Sequence, residues 1–211
     1  MILNIYKPQG PTSHDIVDKV RKILKIKKVG HAGTLDPFAQ GILLILTEKD
    51  TKKQSKFLNL DKTYIGTLEL GKISDTYDIE GKIQKIDCNI VERKKIEKIL
   101  KRFIGKIKQT PPIYSAIKIK GKKAYELARK GQKPKLRKRK IQIYNIELLN
   151  YKWPILEIKV KCSKGTYIRS LANDIGKKLK TGAYLKKLIR TEIGEFKIED
   201  SINLEYFEKY F

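Results

Sequence analysis

Residues 30–46 read GHAGTLDPFAQGILLIL, and the fold turns on the change of character inside this stretch. Its first part holds Gly30, Gly33 and Pro37, with Gly41 at the join. Glycine permits positive φ and close backbone approach, and Pro37 biases Asp36 away from the helical region. Residues 27–41 therefore predict a loop. The second part is continuously apolar and predicts a strand over 41–46, buried on both faces. A loop feeding a buried strand is a firm platform for a functional group, and Asp36 is its one acidic residue. The same residues also fit a plain turn in which Asp36 accepts hydrogen bonds from backbone amides.

Upstream, 2–6 predicts a short strand ended by the turn KPQGP at 7–11. Thr12 or Ser13 can then cap a helix whose apolar face carries Ile16, Val17, Val20, Ile23 and Leu24. Downstream, 62–70 alternates, with Tyr64, Leu68 and Leu70 on one side and Ile65, Thr67 and Glu69 on the other, and predicts a strand. Helical periodicity marks 91–103, through Ile96, Ile99, Leu100 and Phe103. A short helix over 123–130 ends at Gly131. Strands at 141–149 and 156–162 form a hairpin across 150–154, and a last helix covers 166–179, with Ile168, Leu171, Ile175 and Leu179 in its stripe. Strands and helices mix without strict βαβ alternation, which predicts an α+β class. The basic run KPKLRKRK at 133–140 reads as an exposed excursion between a helix and a strand.

The chain has 211 residues, enough for one domain with a sizeable insertion. Its 48 Lys and Arg against 23 Asp and Glu give a net charge of +25. Such a surplus attracts polyanions. Nucleic acid is the first candidate and an acidic membrane surface the second. A solubility bias is the alternative reading of the charge at this point. Cys88 and Cys162 are far apart, with no CxxC spacing, which argues against a zinc site or a disulfide scaffold. The N-terminus MILNIYKPQG does not read as a signal peptide, and the longest apolar run, 42–46, is far short of a membrane span. A reduced, cytoplasmic setting is expected. The two histidines, His14 and His31, make no metal-ligand cluster, and no phosphate-binding P-loop is present.

The stretch GHAGTLDPFAQGIL at 30–43 resembles the catalytic motif of the TruB-type tRNA pseudouridine synthases. Further segments match in family order: KPQGPTSHDIV at 7–17, KTYIGTLELGKISDTYDIEG at 62–81, QTPPIYSAIKIKGKKAYELARKG at 109–131, CSKGTYIRSLANDIG at 162–176 and GAYLKKLIRTEIGEF at 182–196. The likeness runs from about residue 3 to 196, and its collinear motifs are far more specific than GTLDP alone. The chain departs from the usual pattern at Phe38, Gln40, Leu44 and Ser74 without losing a chemical group from the implied site.

The resemblance implies a pseudouridine synthase fold: a central mixed, mainly antiparallel sheet flanked by helices. It implies a single catalytic domain over 1–211, with a thumb-like RNA-binding insertion at about 109–140. Only 15 residues follow Phe196, so no C-terminal PUA domain is expected, and the +25 charge is expected to compensate in part. The implied reaction is isomerisation of uridine to pseudouridine at position 55, in the T-loop of tRNA, after the base is flipped out. It is redox-neutral and needs no cofactor or metal.

Residue by residue, the resemblance makes Asp36 the catalytic carboxylate and Arg169 its expected partner, favouring the charged form. Tyr64 would stack on the flipped uracil and assist proton transfer at carbon. His31 would hold the flipped-out RNA, and Tyr167 and Leu188 would wall the pocket. Lys118, Lys120, Arg137, Lys138, Arg139 and Lys140 would contact RNA. Lys7 and Pro8 would shape the strand end beside the loop. The implied partner is the tRNA T-stem-loop, bound by a monomer with no guide RNA and no membrane.

Overall fold

The computed structural model describes residues 1–119, 121–132, 134 and 136–210. The chain opens with β1 (Ile2–Lys7), α1 (Ser13–Leu24), β2 (Val29–Ala32), β3 (Gln40–Thr47), α2 (Gln54–Leu58) and β4 (Lys62–Leu70). Next come β5 (Lys72–Ser74), β6 (Ile83–Lys85), α3 (Arg93–Lys101), β7 (Gly105–Gln109), β8 (Lys118–Ile119), β9 (Lys122–Lys123) and α4 (Ala124–Arg129). It continues with β10 (Arg139–Lys152), β11 (Ile155–Cys162), α5 (Ile168–Leu179) and β12 (Ala183–Ile193). It closes with β13 (Phe196–Lys197), β14 (Ile202–Asn203) and α6 (Leu204–Tyr210). Two compact units result. The first holds residues 1–65, 161–164 and those from 187 onward, and the second holds 66–160 and 165–186.

The first unit is built around β3. Its strands follow the order β14-β1-β3-β12, with β2 also on β3 and β13 on β12. β1 runs antiparallel to β3 from Ile2↔Leu46 to Lys7↔Gly41. β2 is antiparallel to β3 from Val29↔Thr47 to Ala32↔Leu44. β12 is parallel to β3 at Ile189↔Gln40 and Arg190↔Gly41. The apolar run of β3 feeds two cores because successive side chains point to opposite faces. Leu43 and Ile45 pack with Ile16, Val17 and Val20 of α1 and with Phe207 of α6. Ile42, Leu44 and Leu46 pack with Ala32, Phe57 and Ile193. Each such side chain contributes about 1.5–3 kcal/mol on burial. Thr12 caps α1 in a reciprocal box with Asp15, satisfying amides that the helix start leaves unpaired.

In the second unit the strands follow the order β4-β11-β10-β7. β7 and β10 are antiparallel from Arg139↔Gln109 to Ile143↔Gly105. The apolar stripe of α5 (Ile168, Leu171, Ala172, Ile175, Leu179) is buried, and α3 packs against α5 and β10. Strands β8 and β9 form a small hairpin, and α4 follows it and stops before Gly131, whose φ is +72°.

The α+β class stands, with a mixed sheet. Part of the expected 27–41 loop is instead β2, because backbone pairing to β3 satisfies its polar groups despite Gly30. The helix expected over 91–103 is trimmed to Arg93–Lys101, and that expected over 166–179 begins at Ile168. Among the described residues no helix is long and apolar enough to cross a membrane.

Gly41 shows how tightly β3 and β12 fit. Its φ is +105°, and a Cβ there would lie 2.2 Å from the carbonyl oxygen of Arg190 and 2.8 Å from its amide nitrogen. Gly10 has a similar φ of +110° with nothing within 4 Å of the corresponding point. Gly41→Ala should cost about 3 kcal/mol or more, combining backbone strain with a forced strand shift. Gly10→Ala should cost only the strain of about 1 kcal/mol. Urea unfolding of both variants measures the difference, and equal losses would show that the Arg190 backbone does not limit the site.

Candidate active site

The segment carrying Asp36 is fixed by side chains that reach its backbone from several elements of the first unit. Ser13, at the start of α1, donates from Oγ to Leu35 O at 2.9 Å and accepts from Leu35 N at 2.8 Å. Lys7, buried at the end of β1, donates from Nζ to Pro8 O (2.9 Å), Pro37 O (3.2 Å) and Ala39 O (2.7 Å). Gly10 N donates to Pro37 O at 2.9 Å. Arg190, 1% exposed on β12, donates from Nε to Ile42 O at 2.8 Å and from Nη2 to Gly33 O at 3.0 Å. The sequence favours this arrangement locally. Pro37 keeps Asp36 extended, and the turn closes with Ala39 N donating to Asp36 O at 3.1 Å. Asp36 itself is half-buried.

Tyr64 lies on β4 and is 9% exposed. Burial pushes its phenol pKa upward, the Arg190 guanidinium beside it pulls the other way, and the negative charge of Asp36 adds to the rise. The structure thus brings Asp36, Tyr64 and Arg190 into one electrostatic neighbourhood. Leu188 is buried on β12 immediately before Ile189, the register partner of Gln40. His31 lies on β2, opposite Ile45. Its Nδ1 is buried and without a hydrogen-bond partner among the described residues. Burial lowers the His31 pKa, and the charges of Arg190 and His14 lower it further.

Arg169 and Tyr167 belong to the second unit. Arg169 is 5% exposed at the start of α5. It pairs through Nη1 with Asp78 Oδ2 at 3.0 Å and donates to Thr76 O (3.4 Å) and Tyr114 O (2.8 Å). Gln109 fixes the backbone of Tyr167 by donating to its carbonyl at 3.1 Å and accepting from its amide at 2.9 Å. Lys118, Arg137, Lys138, Arg139 and Lys140 are exposed in this unit. Lys120 lies outside the described residues.

Comparison with known proteins decides the family. The model of the TruB family pseudouridylate synthase N-terminal domain matches residues 21–168. That of the tRNA pseudouridylate synthase B C-terminal domain matches 169–211. The chain belongs to the TruB family of pseudouridylate synthases.

Curated relatives of this TruB-family chain named tRNA pseudouridine synthase B include one from Clostridium tetani. It is 52% identical over 205 residues, which are 97% of this chain and 71% of the relative. One from Phocaeicola vulgatus is 44% identical, covering 99% of this chain and 92% of the relative. Among solved structures, a Cbf5-Nop10-Gar1 complex matches with a TM-score of 0.79 and 34% identity, over 99% of this chain and 54% of that one. An H/ACA RNP bound to a substrate RNA containing 2′-deoxyuridine matches at 0.76 and 31%, over 99% and 52%. This chain therefore spans about half the length of those two.

Two residues of the TruB-family chain are not legible as site residues in the sequence. Asp78 is one carboxylate in an acidic loop, and nothing in its spacing points to Arg169. Arg190 follows the expected pocket residue Leu188 by two positions and so shares its face of β12. That is the available signal, and the many other basic residues obscure it.

His31 gives a pH signature. Its folded pKa lies below the unfolded value of about 6.5, so on acidification the unfolded chain takes up this proton first. Its contribution to stability is complete above about pH 6.5 and is lost as pH falls toward its folded pKa. His31→Asn should flatten the stability–pH curve over that window, measured by urea unfolding from pH 7 to 5. An unchanged slope would place the imidazole in solvent.

Proposed function

We propose that this chain isomerises uridine to pseudouridine at position 55 in the T-loop of tRNA, with Asp36 as the catalytic carboxylate. The observation that carries the reading is the setting of Asp36: a half-buried acid on a loop held by buried side chains, whose charge reaches the buried Tyr64. The chemistry breaks the bond from ribose C1′ to uracil N1, turns the base, joins C1′ to C5 and removes the proton from C5. Ionised Asp36 acts on the ribose or base. Tyr64 offers an aromatic face for a uracil taken out of its stack and a hydroxyl for moving the proton.

The motif resemblance assigns Arg169 as the partner that keeps Asp36 charged, and Tyr167 and Leu188 as pocket walls. Excluding water there strengthens every charge interaction. His31 holds the extruded RNA conformation. The basic segment around 118–140 grips phosphates, with recognition by shape and splayed bases. The working form is a monomeric cytoplasmic enzyme that needs no cofactor, metal or guide RNA.

The likeness to H/ACA complexes favours a second reading, in which a guide RNA presents the target. The segment at 109–131 resembles the thumb of the stand-alone enzymes and argues for direct tRNA recognition. Incubating the pure protein with an unmodified tRNA transcript, then mapping pseudouridine, separates the two. Product at position 55 without guide RNA supports the first reading, and none without guide RNA sinks it. In the same assay Asp36→Asn should fold and bind tRNA but form no product, and substantial residual turnover would refute the assignment of Asp36.

The thumb makes a separate prediction. Neutralising Arg137, Lys138, Arg139 and Lys140 together should weaken tRNA binding. The slope of log Kd against log salt should fall by about one for each phosphate that is no longer neutralised. A salt titration by filter binding checks this, and an unchanged slope would remove the segment from the RNA interface.

A further inference from the structure

Arg190 is a fully buried cation, and among the described residues no acidic side chain forms an ion pair with it. Burying a charge in this way is costly. A merely structural strand position of this size could hold methionine or leucine. The partners of Arg190 show what the charge does instead. Gly33 O lies three residues before Asp36 and Ile42 O six residues after it, and the guanidinium bonds both, at 3.0 and 2.8 Å. A Cβ on Gly33 would sit 3.5 Å from Nη1, so the loop backbone lies against the guanidinium itself.

We propose that Arg190 is a positioning residue of the reaction: it bridges the chain on both sides of Asp36 and so holds that carboxylate in place. The inference rests on the role of Asp36 given above. Its chemistry follows from donor and acceptor counts. A guanidinium has five donors and no acceptor, which suits it to carbonyl oxygens. The planar fork reaches separate acceptors at once. A lysine ammonium, a point charge on a flexible stem, cannot reproduce that geometry.

The test is single-turnover pseudouridine formation on an unmodified tRNA transcript, with melting temperature and tRNA Kd measured for each protein. Arg190→Lys should slow the reaction by about tenfold, because a small displacement of the Asp36 loop is felt in the rate. The tRNA Kd should stay within about threefold of the parent, placing the loss in the chemical step. A folded Arg190→Lys at full rate, or a defect confined to Kd, overturns the role of Arg190 alone. Active Asp36→Asn overturns the underlying reading and this inference with it. Arg190→Met is the second variant should Arg190→Lys not fold, and failure of both to fold assigns Arg190 to the fold alone and overturns the proposal.

Discussion

The backbone of Gly41 lies against the backbone of Arg190, and the architecture of the first unit depends on that approach. Only a residue without Cβ fits the gap and its φ of +105°. The approach sets the parallel register of β12 on β3 at Ile189↔Gln40 and Arg190↔Gly41. That register in turn aims the Arg190 side chain at Gly33 O and Ile42 O, either side of Asp36 in sequence. A slip of one residue would send Arg190 to the other face, away from Gly33 O and Ile42 O.

The buried cations Lys7, Arg190 and Arg169 are satisfied in two ways. Lys7 and Arg190 donate to backbone carbonyls of the Asp36 segment. Arg169 pairs with a carboxylate, Asp78, in addition to carbonyls. The buried carboxylate Glu69 shows the converse: Tyr184, Lys186 and Lys72 donate to it at 2.8, 2.8 and 2.6 Å. These donors outweigh the opposing effect of burial and bring its pKa down to about 2. Carbonyl-bound cations hold backbone, whereas carboxylate-bound ones hold side chains. The stiffening of the Asp36 segment comes from outside it, through its carbonyls.

Much of this was legible in the sequence because the deciding signals were local. The apolar run of β3, the cap at Thr12, the alternation of β4 and the stripe of α5 each follow from period or from one residue's chemistry. β12 was not legible. Its eleven residues AYLKKLIRTEI carry Lys186, Lys187, Arg190 and Thr191 among the apolar ones. Lys186 answers Glu69 and Arg190 answers the Asp36 loop, so both charges serve partners distant in sequence, and the alternation that would mark a strand is lost. β2 was hidden for a related reason. Gly30 and Gly33 announce a loop, while the pairing that makes a strand is supplied by β3. The loop itself marks Asp36 and motif likeness marks Tyr64, His31 and Leu188, whereas Arg190 depends on the register of β12 and β3, a property of two segments almost 150 residues apart.

The burial of Arg190 and Lys7 sets a limit on what stability alone explains. Replacing a buried charged group with a well-packed apolar one of similar volume is often neutral or stabilising, so the fold by itself gives little reason for either. The proposed catalytic role of Asp36 gives one. A reacting group held near its productive geometry lowers the barrier, and a displacement of about 1 Å can cost about 100-fold in rate. The Asp36 segment has no helix or ladder of its own to impose such precision, since Pro37 removes a donor and bars the helical conformation before it. Donors delivered from β1, α1 and β12 do so instead, and they must be fixed themselves, which requires burial. Lys7 and Arg190 therefore act on backbone carbonyls at short range. The exposed cations, from 137 to 140 and beyond, remain available to phosphates, where only net charge and salt decide.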